Sequence, residues 1–198
     1  MKNREYKSRR NKLAKAIGKD GVAIIATADL STRTNDTDYP FRSDSDFYYL
    51  TGFLEPNSLM LLAPGRPEGE FILCVRPKNP LMETWEGHME GLNGVIKNYD
   101  VDQSFDIANI DVVLKDLLYG KEKIFYSIGK NNFYDEKVTE VFKVLRESQR
   151  QGGVVPNEIV SVDTIIHEMR QIKSRKEIQL MKQAARIGVE AHLRVMRE

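Results

Sequence analysis

The residues best able to do chemistry are carboxylates set two apart, in Asp36-x-Asp38 and Asp44-x-Asp46. Oxygens at that spacing can hold a hard divalent cation. Arg33 and Arg42 lie in the same run and compete for those oxygens, so no metal is expected there. His88, His167 and His192 are isolated from one another. His167-Glu168 opens like an H-E-x-x-H helix, but Gln171 stands where the second histidine would be. The sequence also has no nucleophile elbow, phosphate loop, dinucleotide fingerprint or Cys-x-x-Cys pair. The expectation is a chain with no catalytic residue and no metal ligand of its own.

These acids belong to one stretch, Arg33 to Pro56, RTNDTDYPFRSDSDFYYLTGFLEP. It interleaves Tyr39, Phe41, Phe47, Tyr48, Tyr49 and Phe53 with its charges. Large rings gain most by burial, whereas unpaired charges are costly to bury. The mixture predicts an ordered loop with rings anchored below and polar groups paired or presented outward. Pro40 biases Tyr39 towards an extended backbone, Asp44 or Ser45 can cap a short helix, and Gly52 can end it. In the plainer reading, Arg33 and Arg42 pair with neighbouring aspartates while the rings fill the core.

The elements around this stretch alternate in type. An amphipathic helix over residues 4–17 carries Tyr6, Leu13, Ala14 and Ile17 on its apolar face. Its arginines and lysines are assigned to a solvated face. Val22–Thr27, Ser58–Pro64 and Phe71–Val75 read as buried strands, the last two as a hairpin around Gly65–Gly69. Helices are expected over 106–118 and 133–148, with a strand at Lys123–Ile128 between them. A short extended piece follows Gly152–Gly153, then a helix at Ile165–Lys173. The S-x-x-E box at Ser174–Glu177 starts another helix, with Ile178, Met181, Ala185, Val189, His192 and Met196 on one face. No Gly, Asn or Pro closes it before Glu198. It is either a C-terminal helix docked on its own domain or the first helix of a second domain.

Composition narrows the class. The 198 residues carry a net charge of +1, which gives no field to attract nucleic acid or an anionic membrane. No apolar run can span a bilayer and no secretory signal follows the basic start. Cys74 is the only cysteine, which suits a reducing cytoplasm. Trp85, the only tryptophan, sits between Glu83 and Glu86, with His88 close by. It reads equally as a core ring or as an exposed anchor at a partner surface.

The stretch TRTNDTDYPFRSDSDFYYLTGFLEP, from Thr32 to Pro56, resembles the N-terminal domain of bacterial Xaa-Pro aminopeptidases, the aminopeptidase P members of the creatinase/prolidase superfamily. The matching pattern is T-R-x-x-D-x-x-[YF]-x-[YF]-R-x-x-S-D-F-x-Y-[LF]-T-G-F-x-E-P. ETWEG at Glu83–Gly87 and HEMRQIKSRKEIQLMKQAA at His167–Ala185 extend the resemblance essentially end to end. It implies an α/β fold, a mixed, ribonuclease H-like β-sheet flanked by helices, over residues 1–172. Residues 173–198 would be the linker and first helix of a pita-bread catalytic metallopeptidase domain. In relatives that second domain binds two manganese ions and releases an N-terminal residue that precedes proline; its ligands would lie beyond Glu198, leaving no cofactor in this chain.

The resemblance also implies a role for the present chain. It would be a non-catalytic, cytoplasmic domain that shapes a substrate cleft and contributes to a homo-oligomer. Trp85 would cover the peptide in a neighbouring subunit's cleft, and Asp36, with Arg33 and Tyr39, would line it. Asp36 would orient the substrate's amino end or a partner arginine. Gly87-His88 departs from the basic residues frequent in relatives. The alternatives are a stand-alone binding module of the same fold, as in a histone-chaperone subunit, and the N-terminal domain of a prolidase- or creatinase-type hydrolase.

Overall fold

The computed structural model describes residues 3–149 and 152–197. The chain divides into two compact units, Met1–Asp163 and Thr164–Glu198. In the first, a helix α1 (Asn3–Ile17) leads into β1 (Gly21–Ala26). A small hairpin, β2 (Thr32–Thr34) and β3 (Thr37–Asp38), precedes helix α2 (Ser45–Thr51). The hairpin strands β4 (Leu59–Leu62) and β5 (Phe71–Val75) follow, then helices α3 (Pro80–Glu86) and α4 (Gly91–Tyr99). Strand β6 (Gln103–Asp106) passes through one 3₁₀ turn into α5 (Ile110–Leu118). Strand β7 (Lys123–Phe125), helix α6 (Asn132–Ser148) and strand β8 (Glu158–Val160) complete the unit.

Six strands form one mixed sheet in the order β6-β5-β4-β1-β7-β8. β4 is antiparallel to both β1 and β5, while β6, β7 and β8 each add in parallel. The middle strands GVAIIA, LMLL and FILCV are apolar throughout because both faces are covered. Side chains alternate across the sheet. Val22, Ile24, Leu59, Leu61, Ile72, Cys74 and Ile124 join one core with Leu114 and Leu118 of α5 and Val138 and Leu145 of α6. The opposite face, with Ala23, Ile25, Met60, Leu62 and Leu73, is covered by α1, α2 and α4.

Two differences from the sequence expectation have clear causes. The segment read as the start of a helix at residue 106 is preceded by an edge strand, QSFD, whose half-buried polar residues give no apolar run. Arg10, assigned to a solvated face, is buried: its Nη1 donates to the Leu50 carbonyl at 3.0 Å and its guanidinium lies 3.8 Å from the Phe71 ring centroid. Burial lowers its pKa to about 10.

The second unit continues α7 (Asp163–Gln171) into α8 (Arg175–Val195). The capping box forms as the sequence predicts. Ser174 Oγ accepts the Glu177 N–H at 3.2 Å, and Glu177 Oε2 accepts the Ser174 N–H at 2.8 Å. No described helix is long and apolar enough to cross a membrane.

Candidate functional site

The stretch Arg33–Pro56 divides into an exposed hairpin and an anchored helix. β2 and β3 pair with Thr32 opposite Asp38 and Thr34 opposite Thr37, and Asn35 takes a positive φ of 33° at the turn. A bond from the Tyr39 N–H to the Ser31 carbonyl, 2.8 Å, closes the base. Every residue from Ser31 to Pro40 is exposed, so Arg33, Asp36 and Tyr39 all project into solvent. The Arg33 guanidinium stands 6.0 Å from the Tyr39 ring centroid. This corrects the plainer sequence reading, because neither Arg33 nor Arg42 pairs with an aspartate among the described residues. Arg42 instead donates to Ser45 Oγ at 3.4 Å.

α2 begins and ends where residue chemistry requires. Asp44 Oδ1 accepts the N–H groups of Asp46 and Phe47, at 2.8 and 3.0 Å, so it is the cap. Gly52 closes the helix in the left-handed region at φ 70°, donating to Tyr48 at 2.8 Å. Phe47, Leu50 and Phe53 anchor the stretch in the core. The buried Asp46 carboxylate faces Lys130 Nζ at 3.4 Å. That ammonium also lies 2.6 Å from Asp163, which takes a bond from Ser127 as well. Nearby, Asn131 donates to Asp29. All these groups sit past the carboxyl ends of β1, β7 and β8, where parallel sheets gather polar residues. The sequence reading missed this cluster, because Asp46 and Lys130 are 84 residues apart.

Trp85 belongs to the second polar region. Asn79 caps α3, its side-chain oxygen accepting from Leu81 and Met82, and Pro80 fits the first turn. Gly87 ends the helix, its N–H bonded to the Glu83 carbonyl at 3.1 Å. Leu81 and Trp85 are four residues apart and therefore on one face, 80% and 86% exposed. Of the two sequence readings of Trp85, the core ring is excluded.

The other side of α3 is braced by acids. Glu83 Oε1 accepts the Met89 N–H at 2.9 Å, with Lys78 Nζ at 3.3 Å and His88 Nδ1 at 3.4 Å. The Met89 N–H, then Lys78 and His88, hold the Glu83 carboxyl below its ordinary range. His88 Nε2 also lies 3.8 Å from Glu90. Arg76 binds Glu86. Glu55, at the end of the first stretch, accepts the Glu90 N–H at 2.8 Å, while burial pushes its pKa up. The structure thus links Glu55 to the Trp85 region. Among the described residues, no hydrogen bond, ion pair or ring contact joins the hairpin to Trp85.

The first unit is thus a mixed sheet that carries an exposed tryptophan on a capped helix and an exposed polar hairpin. The family model described as "Aminopeptidase P, N-terminal domain" matches residues 6–126. Similarity to Escherichia coli Xaa-Pro aminopeptidase is 30% identity over 99% of this chain and 45% of that protein. For the Haemophilus influenzae Xaa-Pro aminopeptidase it is 31% over 97% of this chain and 42% of that protein. The solved structure of Pseudomonas aeruginosa aminopeptidase PepP superposes with a TM-score of 0.94 at 38% identity, covering 98% of this chain and 44% of that one. The chain belongs to the aminopeptidase P family and carries its N-terminal domain. It spans less than half the length of these relatives.

Proposed function

We propose that this chain is the non-catalytic N-terminal domain of a metal-dependent Xaa-Pro aminopeptidase, shaping the cleft that receives a peptide with proline at its second position. Hydrolysis belongs in this reading to a catalytic domain with two manganese ions. In support of that reading, Asp44 is engaged as the cap of α2, and Asp46 and Asp163 share the Lys130 ammonium.

The observation that carries the reading is Trp85, 86% exposed on a helix held by Asn79, Glu83 and Gly87. A solvated indole is an unfavourable use of so much apolar area unless it meets a partner. In a homo-oligomer, Trp85 and Leu81 would lie over the substrate in a neighbouring subunit's cleft. Asp36, with Arg33 and Tyr39, would offer polar contacts at its mouth. The buried thiol of Cys74, pushed up to about 12, suits a cytoplasmic setting in which it is left unmodified.

The test is Trp85→Ala in the full-length enzyme, assayed with a dipeptide and with longer Xaa-Pro peptides. Affinity for the longer peptides should fall several-fold while manganese content stays constant. Unchanged KM and kcat for every peptide would remove the tryptophan from the cleft.

A further inference from the structure

Along its outer side, α6 leaves a cavity of about 390 Å³ against the edge strand β8. Its volume lies in the range of small-molecule sites. Val138, Phe142 and Tyr126 line it, and Ile128 and Ile159, 63% and 43% exposed, stand at its mouth.

The polar groups of this cavity are unevenly satisfied. Asp135 accepts the Tyr126 hydroxyl at 2.6 Å and the Gly129 N–H at 3.0 Å, so its carboxylate is engaged. Lys143 and Arg146, three residues apart on α6, line the same cavity without an acidic partner among the described residues. Lys137, on the same helix, has two: Asp111 at 2.9 Å and Glu140 at 3.5 Å. Asp135 precedes Lys143 by two helical turns, roughly 12 Å along the axis. The cavity therefore has its engaged acid at one end and two available cations at the other. Basic residues near a helix C-terminus complement its dipole, but the dipole does not call for an apolar hollow beside them.

We propose that this cavity binds a small carboxylate with an apolar body, an aromatic or branched acid, independently of the peptidase reading. The body rests on Phe142, Val138 and Ile159. The carboxylate lies between Lys143 and Arg146, where charge-assisted bonds to an anion are the strong ones.

The probe is 2-naphthoate, titrated into the isotopically labelled 198-residue chain, with 2-naphthalenemethanol as the neutral isostere. Amide shifts should saturate and map to residues 138–146 and 157–160, with naphthoate bound roughly tenfold more tightly than the alcohol. Raising the salt concentration should weaken naphthoate and leave the alcohol unchanged. Both substitutions are on the surface, so the folded double variant Lys143→Gln/Arg146→Gln should lose the preference for the acid. Scattered or unsaturable shifts, equal binding of acid and alcohol, salt-insensitive naphthoate binding, or a preference that survives the double substitution would each overturn the proposal.

Discussion

Glu55 and Glu90 are joined by one hydrogen bond, from the Glu90 N–H to Glu55 Oε1 at 2.8 Å. Glu55 lies near the end of the aromatic stretch and Glu90 opens α4, so the bond fixes the start of α4, four residues after the Trp85 helix ends, to the anchored part of the domain. The other carboxyl oxygen, Glu55 Oε2, is buried with no hydrogen-bond partner among the described residues, as is Arg76 Nε. Burial, the largest influence, raises the Glu55 pKa above its ordinary 4.5 despite the opposing Glu90 N–H and Arg76. A group whose folded pKa is raised favours the folded state below its unfolded pKa. That contribution is lost as pH rises through the folded value.

Glu55→Gln keeps an acceptor for the Glu90 N–H and has no charge to desolvate. Its melting temperature should equal or exceed that of the parent at neutral pH, and the pH dependence between acid and neutral should flatten. Glu55→Ala removes the acceptor and should lower stability by about 1–2 kcal/mol at acid pH, and by less at neutral pH, where it also removes a desolvated charge. Parallel melting profiles for the parent and Glu55→Gln across that range would contradict the assignment.

Gly52 should not tolerate a side chain. Its φ of 70° already disfavours an L-residue, and an added Cβ would run into the Tyr6 ring. Gly52→Ala should cost about 2–4 kcal/mol in urea unfolding. A loss below roughly 0.5 kcal/mol would show that α1 and α2 can separate without penalty.

Lys130 should be coupled to Asp46. Removing the ammonium leaves the buried carboxylate without one of its partners, so Lys130→Met should destabilise by about 1–3 kcal/mol. Asp46→Asn should make that loss smaller, giving a coupling free energy of roughly 0.5–1.5 kcal/mol in a double-mutant cycle. Additive effects would show that the 3.4 Å approach contributes nothing.

The sequence made the covered strands and the helix ends legible because each is specified locally. The apolar runs of β1, β4 and β5, the Asp44 cap, the Gly52 stop and the Ser174 capping box all depend on neighbours within a few residues. β6 escaped because its residues are polar and half-buried, and the hairpin β2–β3 because five strand residues give too little periodicity. α3 and α4 were hidden by Pro80, Gly91 and Gly94, which interrupt a helical pattern. At the candidate site, sequence marked the polar stretch and the tryptophan but not what holds them. The partners of Asp46, Glu55 and Arg10 lie 84, 35 and 40 residues away, and only the folded sheet brings them near.

In the proposed function this domain presents Trp85 and its polar hairpin to a reaction carried out elsewhere. The most direct test adds manganese to the purified 198-residue chain and follows release of the first residue from an Xaa-Pro peptide in the same cell. No stoichiometric manganese binding and no turnover are expected, with activity appearing only in the full-length enzyme. Stoichiometric metal together with turnover by this chain would place the chemistry among Asp36, Asp38, Asp44 and Asp46 and rule out a non-catalytic domain.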